Sequence, residues 1–368
     1  MHFNPLQQLG ALGQSVWSDF IERRTLGNGE FARLIHNDGV TGVTTNPSIF
    51  EKALAAGGDY AAQIAGLAAA GAPPGQIVDA LMRQDVQRAA DVLRPVYERT
   101  KGVDGYVSLE VSPRLAHDAQ ATVAQAQASW SALARPNVMI KVPATREGVD
   151  AIRRLIGAGV NVNATLLFSV ARYLEAAQAY RQGLESRVAA GLPIDRVASV
   201  ASFFVSRIDT LIDQRLTAQP SEGALALRGQ TAIACARLAY REFERMQREA
   251  AWLQLAARGA LPQRLLWAST STKDPSTSDV RYVEALIGPQ TVNTLTQDTL
   301  AAYRHHGEPA LRIGLEVAQA QQLLADLATF GIDLDEIAAK LEADGVRRFA
   351  DSEAALHSRV AQAVPASC

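Results

Sequence analysis

The chain has 368 residues, 48% of them apolar and 20% charged, which is the composition of a large globular protein. Its net charge is −2 and both signs are mixed along it, so we expect neither a nucleic-acid nor a membrane partner. No apolar run reaches the roughly 18 residues that a membrane-spanning helix needs, and the N-terminal residues lack the charge and hydropathy order of a signal peptide. With two cysteines a disulfide framework is not expected, so we expect a cytoplasmic location.

Short runs rich in β-branched and aromatic residues recur along the chain. They predict strands at Ser15–Asp19, Val40–Thr45, Tyr106–Val111, Val138–Val142, Val160–Thr165, Val197–Phe204, Leu265–Ser269 and Thr291–Thr296. Helical patterns separate these runs, so we expect βαβ units with parallel pairing and, with eight repeats, an α/β fold closed into a (β/α)8 barrel. The alternative is an open doubly wound sheet. That fold would be expected to carry a glycine-rich phosphate loop, and neither G-x-G-x-x-G nor G-x-x-x-x-G-K-[ST] is present.

The helical patterns fall into three groups. Between later strands they lie at Ala119–Ala134, Phe168–Ala190, Gly223–Arg258 and Arg281–Leu286. After the second strand, Gly57–Gly75 predicts a helix and loop, and Asp79–Thr100 predicts the next helix. The C-terminal part, from Pro309 to Ala363, is helical and is expected to pack across the barrel. We therefore predict one barrel domain over residues 1–368, in which residues 309–368 form C-terminal helices packed on the barrel.

Polar residues stand at or just beyond the C-terminal ends of the predicted strands, where the active site of such a barrel lies. They are Asp19, Asn46, Glu110, Lys141, Asn163, Thr165, Ser202, Arg207 and Lys273. Some have a structural alternative, since Asn46 before Pro-Ser is a good helix cap and Asp19 could also cap a helix. Asn163 and Thr165 alternate along one apolar strand. An unpaired buried amide costs about 1–3 kcal/mol, so such residues need partners.

Lys141 carries the most specific chemistry among these residues. It follows the apolar run Val138–Ile140 and precedes Val-Pro, which ends the strand. Burial disfavours the charged form of an amine, and a neutral amine attacks a sugar carbonyl to form a Schiff base. Retro-aldol cleavage would then need an acid or base near the β-hydroxyl, for which Asp19 is the candidate. The alternative is that Lys141 is a solvated strand terminus.

Several segments together resemble transaldolase, most closely its longer bacterial form. The resemblance rests on TTNPS (Thr44–Ser48), SLEVSPRLAHD (Ser108–Asp118), VMIKVPAT (Val138–Thr145), GVNVNATLLFS (Gly159–Ser169), ASFFVSRID (Ala201–Asp209) and WASTSTKDP (Trp267–Pro275). They follow one another in the family's order and spacing and cover about Trp17 to Thr296. The resemblance implies a single-domain (β/α)8 barrel with a Schiff-base lysine on the fourth strand. Because a protonated imine on Lys141 would be the electron sink, we expect no cofactor and no metal.

The resemblance implies four catalytic residues. Lys141 matches the Schiff-base lysine, and Asp19 matches the aspartate that takes and returns the proton of the C4 hydroxyl. Glu110 and Thr165 resemble the pair that holds a water for the proton transfers of imine formation and hydrolysis. These roles are expectations that follow from matching positions.

The resemblance also implies five substrate-binding residues. Asn46 and Asn163 look like the amides that hold the dihydroxyacetone unit, and Ser202 like the serine near its terminal hydroxyl. Arg207 matches a phosphate-binding arginine. Lys273 stands where the short form of the family has a second phosphate-site arginine, and a lysine binds phosphate as a point charge without bidentate geometry.

The expected activity is transfer of a dihydroxyacetone unit from sedoheptulose 7-phosphate to glyceraldehyde 3-phosphate. The products are erythrose 4-phosphate and fructose 6-phosphate, and the reaction belongs to the non-oxidative pentose phosphate pathway. Two alternatives remain open: a true aldolase that releases free dihydroxyacetone, and a barrel that binds sugar phosphates without turnover. The expected partners are sugar phosphates, and the chain is expected to act as a monomer or homodimer.

Overall fold

A closed barrel of parallel strands forms the centre of the molecule. The computed structural model describes residues 4–55, 58–219, 221–272, 274 and 276–364. Within them the strands pair in chain order, and the eighth pairs with the first. The strands are β1 Gln14–Ser18, β2 Val40–Val43, β3 Tyr106–Glu110, β4 Val138–Pro143, β5 Val162–Leu167, β6 Ser199–Phe204, β7 Arg264–Ala268 and β8 Thr291–Leu295. The predicted (β/α)8 barrel is confirmed, and the open sheet is excluded.

Helices surround the barrel. Their bounds are α1 Pro5–Ala11, α2 Arg23–Gly27, α3 Glu30–Asp38, α4 Pro47–Ala55, α5 Ala61–Ala69, α6 Pro74–Arg99, α7 Ala119–Leu133, α8 Arg146–Gly157, α9 Val170–Ala189, α10 Ser206–Thr217, α11 Glu222–Ala226, α12 Thr231–Gln247, α13 Ala250–Ala256, α14 Arg281–Ala285, α15 Gln297–His306, α16 Val317–Thr329 and α17 Leu334–Ala363. None of those in the described part of the chain combines the length and hydropathy that a bilayer crossing requires.

Two helical predictions differ from the structure. The long pattern from Gly223 to Arg258 is divided among α11, α12 and α13, and Gly229 between the first two has a φ of 68°. A left-handed residue ends a helix whatever the amphipathic pattern around it. Helix α6 begins at Pro74, earlier than the predicted start at Asp79, because proline fits the first turn of a helix.

The strands of the barrel are covered on both faces. Every residue of β4, β5 and β6 is buried, as expected for parallel strands with side chains inside the barrel and helices outside it. Trp17 of β1 is fully buried, and a Cβ atom at Gly42 of β2 would come within 2.4 Å of its indole ring. A rigid ring cannot move aside easily, so this strand pair depends on a residue without a side chain.

The last helix lies over the C-terminal ends of the strands. Helix α17 contacts β5, α4, α6 and α10, together with the 3₁₀ turn Pro113–Leu115 that follows β3. Helices α4 and α10 begin directly after β2 and β6, so these contacts locate α17 at the carboxyl end of the barrel. That is the end at which barrel enzymes carry their active sites.

Candidate active site

Lys141 is buried at the centre of a row of polar side chains. It lies opposite Glu110 of β3 and opposite Asn163 of β5 in the strand register. The side chains of Lys141 and Glu110 are 4% and 3% exposed, and Nζ lies 3.6 Å from the Oε2 atom of Glu110. Nζ also donates a hydrogen bond to the carbonyl oxygen of Thr45 at 3.2 Å. The alternative of a solvated strand terminus is therefore wrong.

Glu110 is a buried carboxyl group that titrates near neutrality. Burial raises the pKa of Glu110 to about 7, against the opposing effect of the positive charge of Lys141, and the negative charge of Glu353 on α17 adds to the increase. Both carboxyl oxygens of Glu110 and the Oγ1 atom of Thr165 are buried without a hydrogen-bond partner among the described residues. Buried polar atoms normally have partners, so these atoms are available to a water or a substrate.

Asp19 follows β1 directly and is held by a neighbouring hydroxyl. The Oγ1 atom of Thr44 donates to its Oδ1 atom at 2.8 Å, so Asp19 is held by a side chain of the next strand-end loop. Burial raises the pKa of Asp19, while Lys141 and the Thr44 hydrogen bond act in the opposite direction, as do the charges of Lys52 and Arg207. A carboxylate whose pKa is raised in this way is a stronger base than one in water.

A polar cleft opens beside Asp19. It has a volume of about 510 Å³ and is lined by residues that follow β1, β2, β7 and β8, including Lys52 and Ser271. The hydroxyl groups of Ser271 and Thr299 lie 2.8 Å apart, and those of Thr296 and Thr299 lie 3.0 Å apart. A cleft lined by hydroxyl and charged groups suits a polyhydroxylated, charged small molecule better than an apolar one.

Asn163 is part of a hydrogen-bonded chain that joins three strands. Its Nδ2 atom donates to the Oγ atom of Ser108 on β3 at 3.0 Å, and its Oδ1 atom accepts from the Oγ atom of Ser202 on β6 at 2.6 Å. All three side chains are buried. The chain therefore fixes the orientation of the Asn163 amide directly beside Lys141.

Asn46 caps the helix that follows β2. Its Oδ1 atom accepts from the Oγ atom of Ser48 at 2.6 Å and from the backbone N–H of Ile49 at 3.1 Å. The capping alternative is therefore correct for the carbonyl side of this amide. The Nδ2 atom of Asn46 has no partner among the described residues. A hydrogen-bond donor therefore remains on the residue that follows Thr45, whose carbonyl oxygen accepts from Lys141.

Arg207 lies in the first turn of α10, half-buried over an aromatic ring. Its Cζ atom is 5.2 Å from the ring centroid of Phe204. Burial lowers the pKa of Arg207, and so does the positive charge of Arg348 on α17, while Asp19 opposes both. Two guanidinium groups near each other favour an anion such as phosphate between them. Lys273, the other predicted phosphate ligand, lies outside the described residues.

The sequence patterns missed the contribution of the last helix. Phe349, Arg348 and Glu353 all lie on α17 and reach Lys141, Arg207 and Glu110 respectively, through ring contact or charge. The sequence predicted only that the C-terminal helices pack across the barrel. That prediction does not identify the residues of these helices that contact the site. Ser108, which opens the SLEVS segment, was not singled out either.

The groups in this site are those needed for the reaction of an amine with a carbonyl compound. A buried amine lies beside a carboxyl group that can gain or lose a proton near pH 7. A second carboxylate, Asp19, also has a raised pKa and interacts with the positive charge of Lys141. Oriented amides and two cationic side chains complete the arrangement. Such a constellation is suited to imine formation and to proton transfer on a phosphorylated sugar.

Comparisons with known proteins identify the family. The family model described as Transaldolase/Fructose-6-phosphate aldolase matches residues 16–360. A transaldolase from Thiobacillus denitrificans is 46% identical over 97% of this chain and 99% of that protein. Transaldolases from Frankia alni and Saccharopolyspora erythraea are 47% and 48% identical, over 98% and 94% of this chain and 97% and 94% of those proteins. The chain therefore belongs to the transaldolase/fructose-6-phosphate aldolase family.

Proposed function

We propose that this protein is a transaldolase. It transfers a dihydroxyacetone unit from sedoheptulose 7-phosphate to glyceraldehyde 3-phosphate, giving erythrose 4-phosphate and fructose 6-phosphate, in the cytoplasmic non-oxidative pentose phosphate pathway. One barrel domain of residues 1–368, with residues 309–368 as helices packed on it, acts as a monomer or homodimer. The observation that carries the proposal is the buried amine of Lys141, 3.6 Å from a carboxyl group whose pKa is about 7.

Imine formation is the first step. The Nζ atom of Lys141 attacks the ketose carbonyl, and the resulting carbinolamine loses its hydroxyl group as water to give a protonated imine. Glu110 and Thr165 hold the water that carries protons in this step and in its reversal. Their buried oxygens, which have no partner among the described residues, support this role. A pKa of about 7 lets Glu110 act as both acid and base at neutral pH.

Cleavage follows from the imine. Asp19 takes the proton of the C4 hydroxyl, the C3–C4 bond breaks, and its electron pair moves to the iminium nitrogen, giving an enamine on Lys141 and a free aldose phosphate. In the second half-reaction the enamine carbon attacks the acceptor aldehyde, and Asp19 returns its proton to the new hydroxyl. The Thr44 hydrogen bond to Asp19 supports this role because it orients the carboxylate.

Substrate binding uses groups on both sides of Lys141. The amides of Asn46 and Asn163 hold the hydroxyls of the dihydroxyacetone unit, with Ser202 near its terminal hydroxyl. The fixed orientation of the Asn163 amide supports this assignment. Arg207 and Lys273 bind the phosphate group.

A second candidate function is that of an aldolase, which the description of the matching family also names. An aldolase would release free dihydroxyacetone from fructose 6-phosphate without an acceptor aldehyde, whereas a transaldolase needs the acceptor for turnover. A barrel that only binds sugar phosphates would show no turnover at all. A single assay of fructose 6-phosphate with and without erythrose 4-phosphate as acceptor separates the three possibilities.

Borohydride trapping tests the proposal. Reduction in the presence of fructose 6-phosphate should leave a three-carbon adduct on Lys141, located by mass spectrometry of the modified peptide. Lys141→Arg should lose both trapping and turnover, because a guanidinium stays protonated. The matched control is Lys340→Arg, an exposed lysine on α17, which should keep both. An adduct on another lysine, or none, would contradict the mechanism.

A further inference from the structure

One stripe of the last helix faces the carboxyl end of the barrel. Gly345, Phe349 and Glu353 are spaced four residues apart on α17 and so lie on the same side of the helix. Each touches a residue at the end of a different central strand or in the loop that follows it. The ends of β5, β4 and β3 are met in that order along the helix.

The two outer residues of this stripe fix the position of the helix. A Cβ atom at Gly345 would lie 2.8 Å from Cδ2 of Leu166 in β5, so the helix backbone packs directly against that strand. The Oε2 atom of Glu353 accepts hydrogen bonds from the Oγ atom of Ser112 at 2.9 Å and from Nε of Arg114 at 3.3 Å. The helix is therefore anchored on both sides of β4.

Leu166 has an unusual backbone. Its φ is 61°, and the pairing register of β5 with β6 shifts between Ala164 and Leu167. A left-handed leucine inside a strand is strained, and such strain persists only where surrounding structure enforces it. Leu166, which follows Thr165 directly, packs against Gly345 of α17.

The middle residue of the stripe covers the amine. Phe349 is 4% exposed, and its ring centroid lies 5.6 Å from Nζ of Lys141, within the range of a cation–π contact. An aromatic ring in this position supplies an apolar surface directly beside the atom that carries the sugar. The negative face of the ring stabilises the positive charge of an imine, and the ring has no proton to donate.

We propose that Phe349 is a positioning residue that keeps bulk water away from the enamine on Lys141. It thereby sets the partition between transfer to an aldehyde and loss of free dihydroxyacetone. This inference rests on the proposed function. Phe349 acts through Lys141 and leaves water delivery to Glu110 and Thr165.

Two reactions compete for the enamine. In transfer, its carbon forms a bond to the aldehyde carbon, and the aldehyde oxygen takes a proton. In loss, its carbon takes a proton from water, and the resulting iminium adds water and releases dihydroxyacetone with a free amine on Lys141. Both outcomes use only the substrate, water and the proton donors already named. Water that reaches the enamine outside the Glu110–Thr165 pair favours loss.

The experiment compares two rates in Phe349→Ala and Phe349→Leu. The first rate is the release of free dihydroxyacetone from fructose 6-phosphate without acceptor, and the second is transfer from fructose 6-phosphate to erythrose 4-phosphate, which gives sedoheptulose 7-phosphate. Phe349→Ala should raise the ratio of release to transfer by about tenfold or more, a barrier change of about 1.4 kcal/mol. Phe349→Leu, which keeps an apolar cover, should restore most of the wild-type ratio.

The matched control is Leu356→Ala. Leu356 is buried on the same helix, two turns further on, so this variant loosens the packing of α17 without uncovering Lys141. It should lower the melting temperature and leave the ratio unchanged. If Phe349→Ala does not fold, Phe349→Gln replaces it, since this change keeps more side-chain volume and removes the apolar cover.

The outcomes separate this inference from the proposed function. A three-carbon adduct on Lys141 with an unchanged ratio in Phe349→Ala, or in Phe349→Gln if that variant replaces it, would overturn the inference alone. An equal rise in Leu356→Ala would also overturn it, because loosened packing would then explain the effect. Absence of any Lys141 adduct in the wild-type protein would overturn the proposed function instead.

Discussion

The titration of Glu110 should govern how fast the imine hydrolyses. With a pKa of about 7, the carboxyl group is about one-tenth ionised at pH 6 and about nine-tenths ionised at pH 8. Hydrolysis needs the ionised form, because a base must take a proton from the attacking water. The hydrolysis rate should therefore rise about tenfold from pH 6 to pH 8. A glutamate at the ordinary value of 4.5 would already be ionised at pH 6, and its rate would be flat.

Glu110→Gln keeps the size of the side chain and removes its titration. At pH 8 this variant should hydrolyse the imine about 10²–10⁴-fold more slowly than the parent enzyme, the usual effect of losing a positioned proton-transfer group. Its rate should not change between pH 6 and pH 8. The deficit should consequently be about tenfold smaller at pH 6, where most of the parent carboxyl groups are protonated.

The assay isolates hydrolysis from cleavage by working in an Asp19→Asn background. In that background the six-carbon imine of labelled fructose 6-phosphate forms and is cleaved slowly. Dilution into excess unlabelled substrate starts the decay, and borohydride at timed intervals fixes the label that remains on Lys141. A matched control is Thr165→Val, which removes a hydroxyl that does not titrate, so it should slow the decay equally at every pH.

Two results would contradict this role of Glu110. One is a decay rate in the enzyme with Glu110 intact that stays flat from pH 6 to pH 8. The other is a pH dependence that survives unchanged in Glu110→Gln, since the titrating group would then be another residue. In either case the water-activating role would have to move away from Glu110.

Further predictions concern cleavage, phosphate binding and metals. Asp19→Asn should cleave the imine about 10²–10⁴-fold more slowly and yield a six-carbon adduct on reduction; a three-carbon adduct at the wild-type rate would assign the cleavage base elsewhere. Arg207→Ala should lower kcat/KM for phosphorylated sugars by about ten- to a hundredfold, because a charge-assisted contact contributes about 1.5–3 kcal/mol. Arg348→Ala, at an exposed position on α17, should act in the same direction and less strongly, and an equal loss on unphosphorylated analogues would contradict both phosphate roles. Turnover should survive prolonged EDTA treatment because the imine supplies the electrophile; activity that returns only on adding a divalent metal would refute this.

Local sequence pattern predicted the barrel and the buried lysine of its fourth strand. Apolar runs that alternate with helical patterns specify parallel strands, because such strands are buried on both faces and need a covered crossover between them. The period of two along β5 put Asn163 and Thr165 on one face, and the apolar run before Lys141 indicated burial. These features depend on neighbours within a few residues, which is why they can be read in order along the chain.

The closure of the site and the pKa values of its carboxyl groups depend on packing between segments far apart in the chain. The pKa of Glu110 depends on burial, on Lys141 across a strand pair and on Glu353 in the last helix. The ring of Phe349 meets the amine of Lys141 because of the way α17 lies across the barrel. The position of α17 is fixed by the packing of Gly345 against Leu166 and by the hydrogen bonds of Glu353. An amphipathic pattern specifies that a helix face is buried, but the partner of that face is set by packing between segments far apart in the chain.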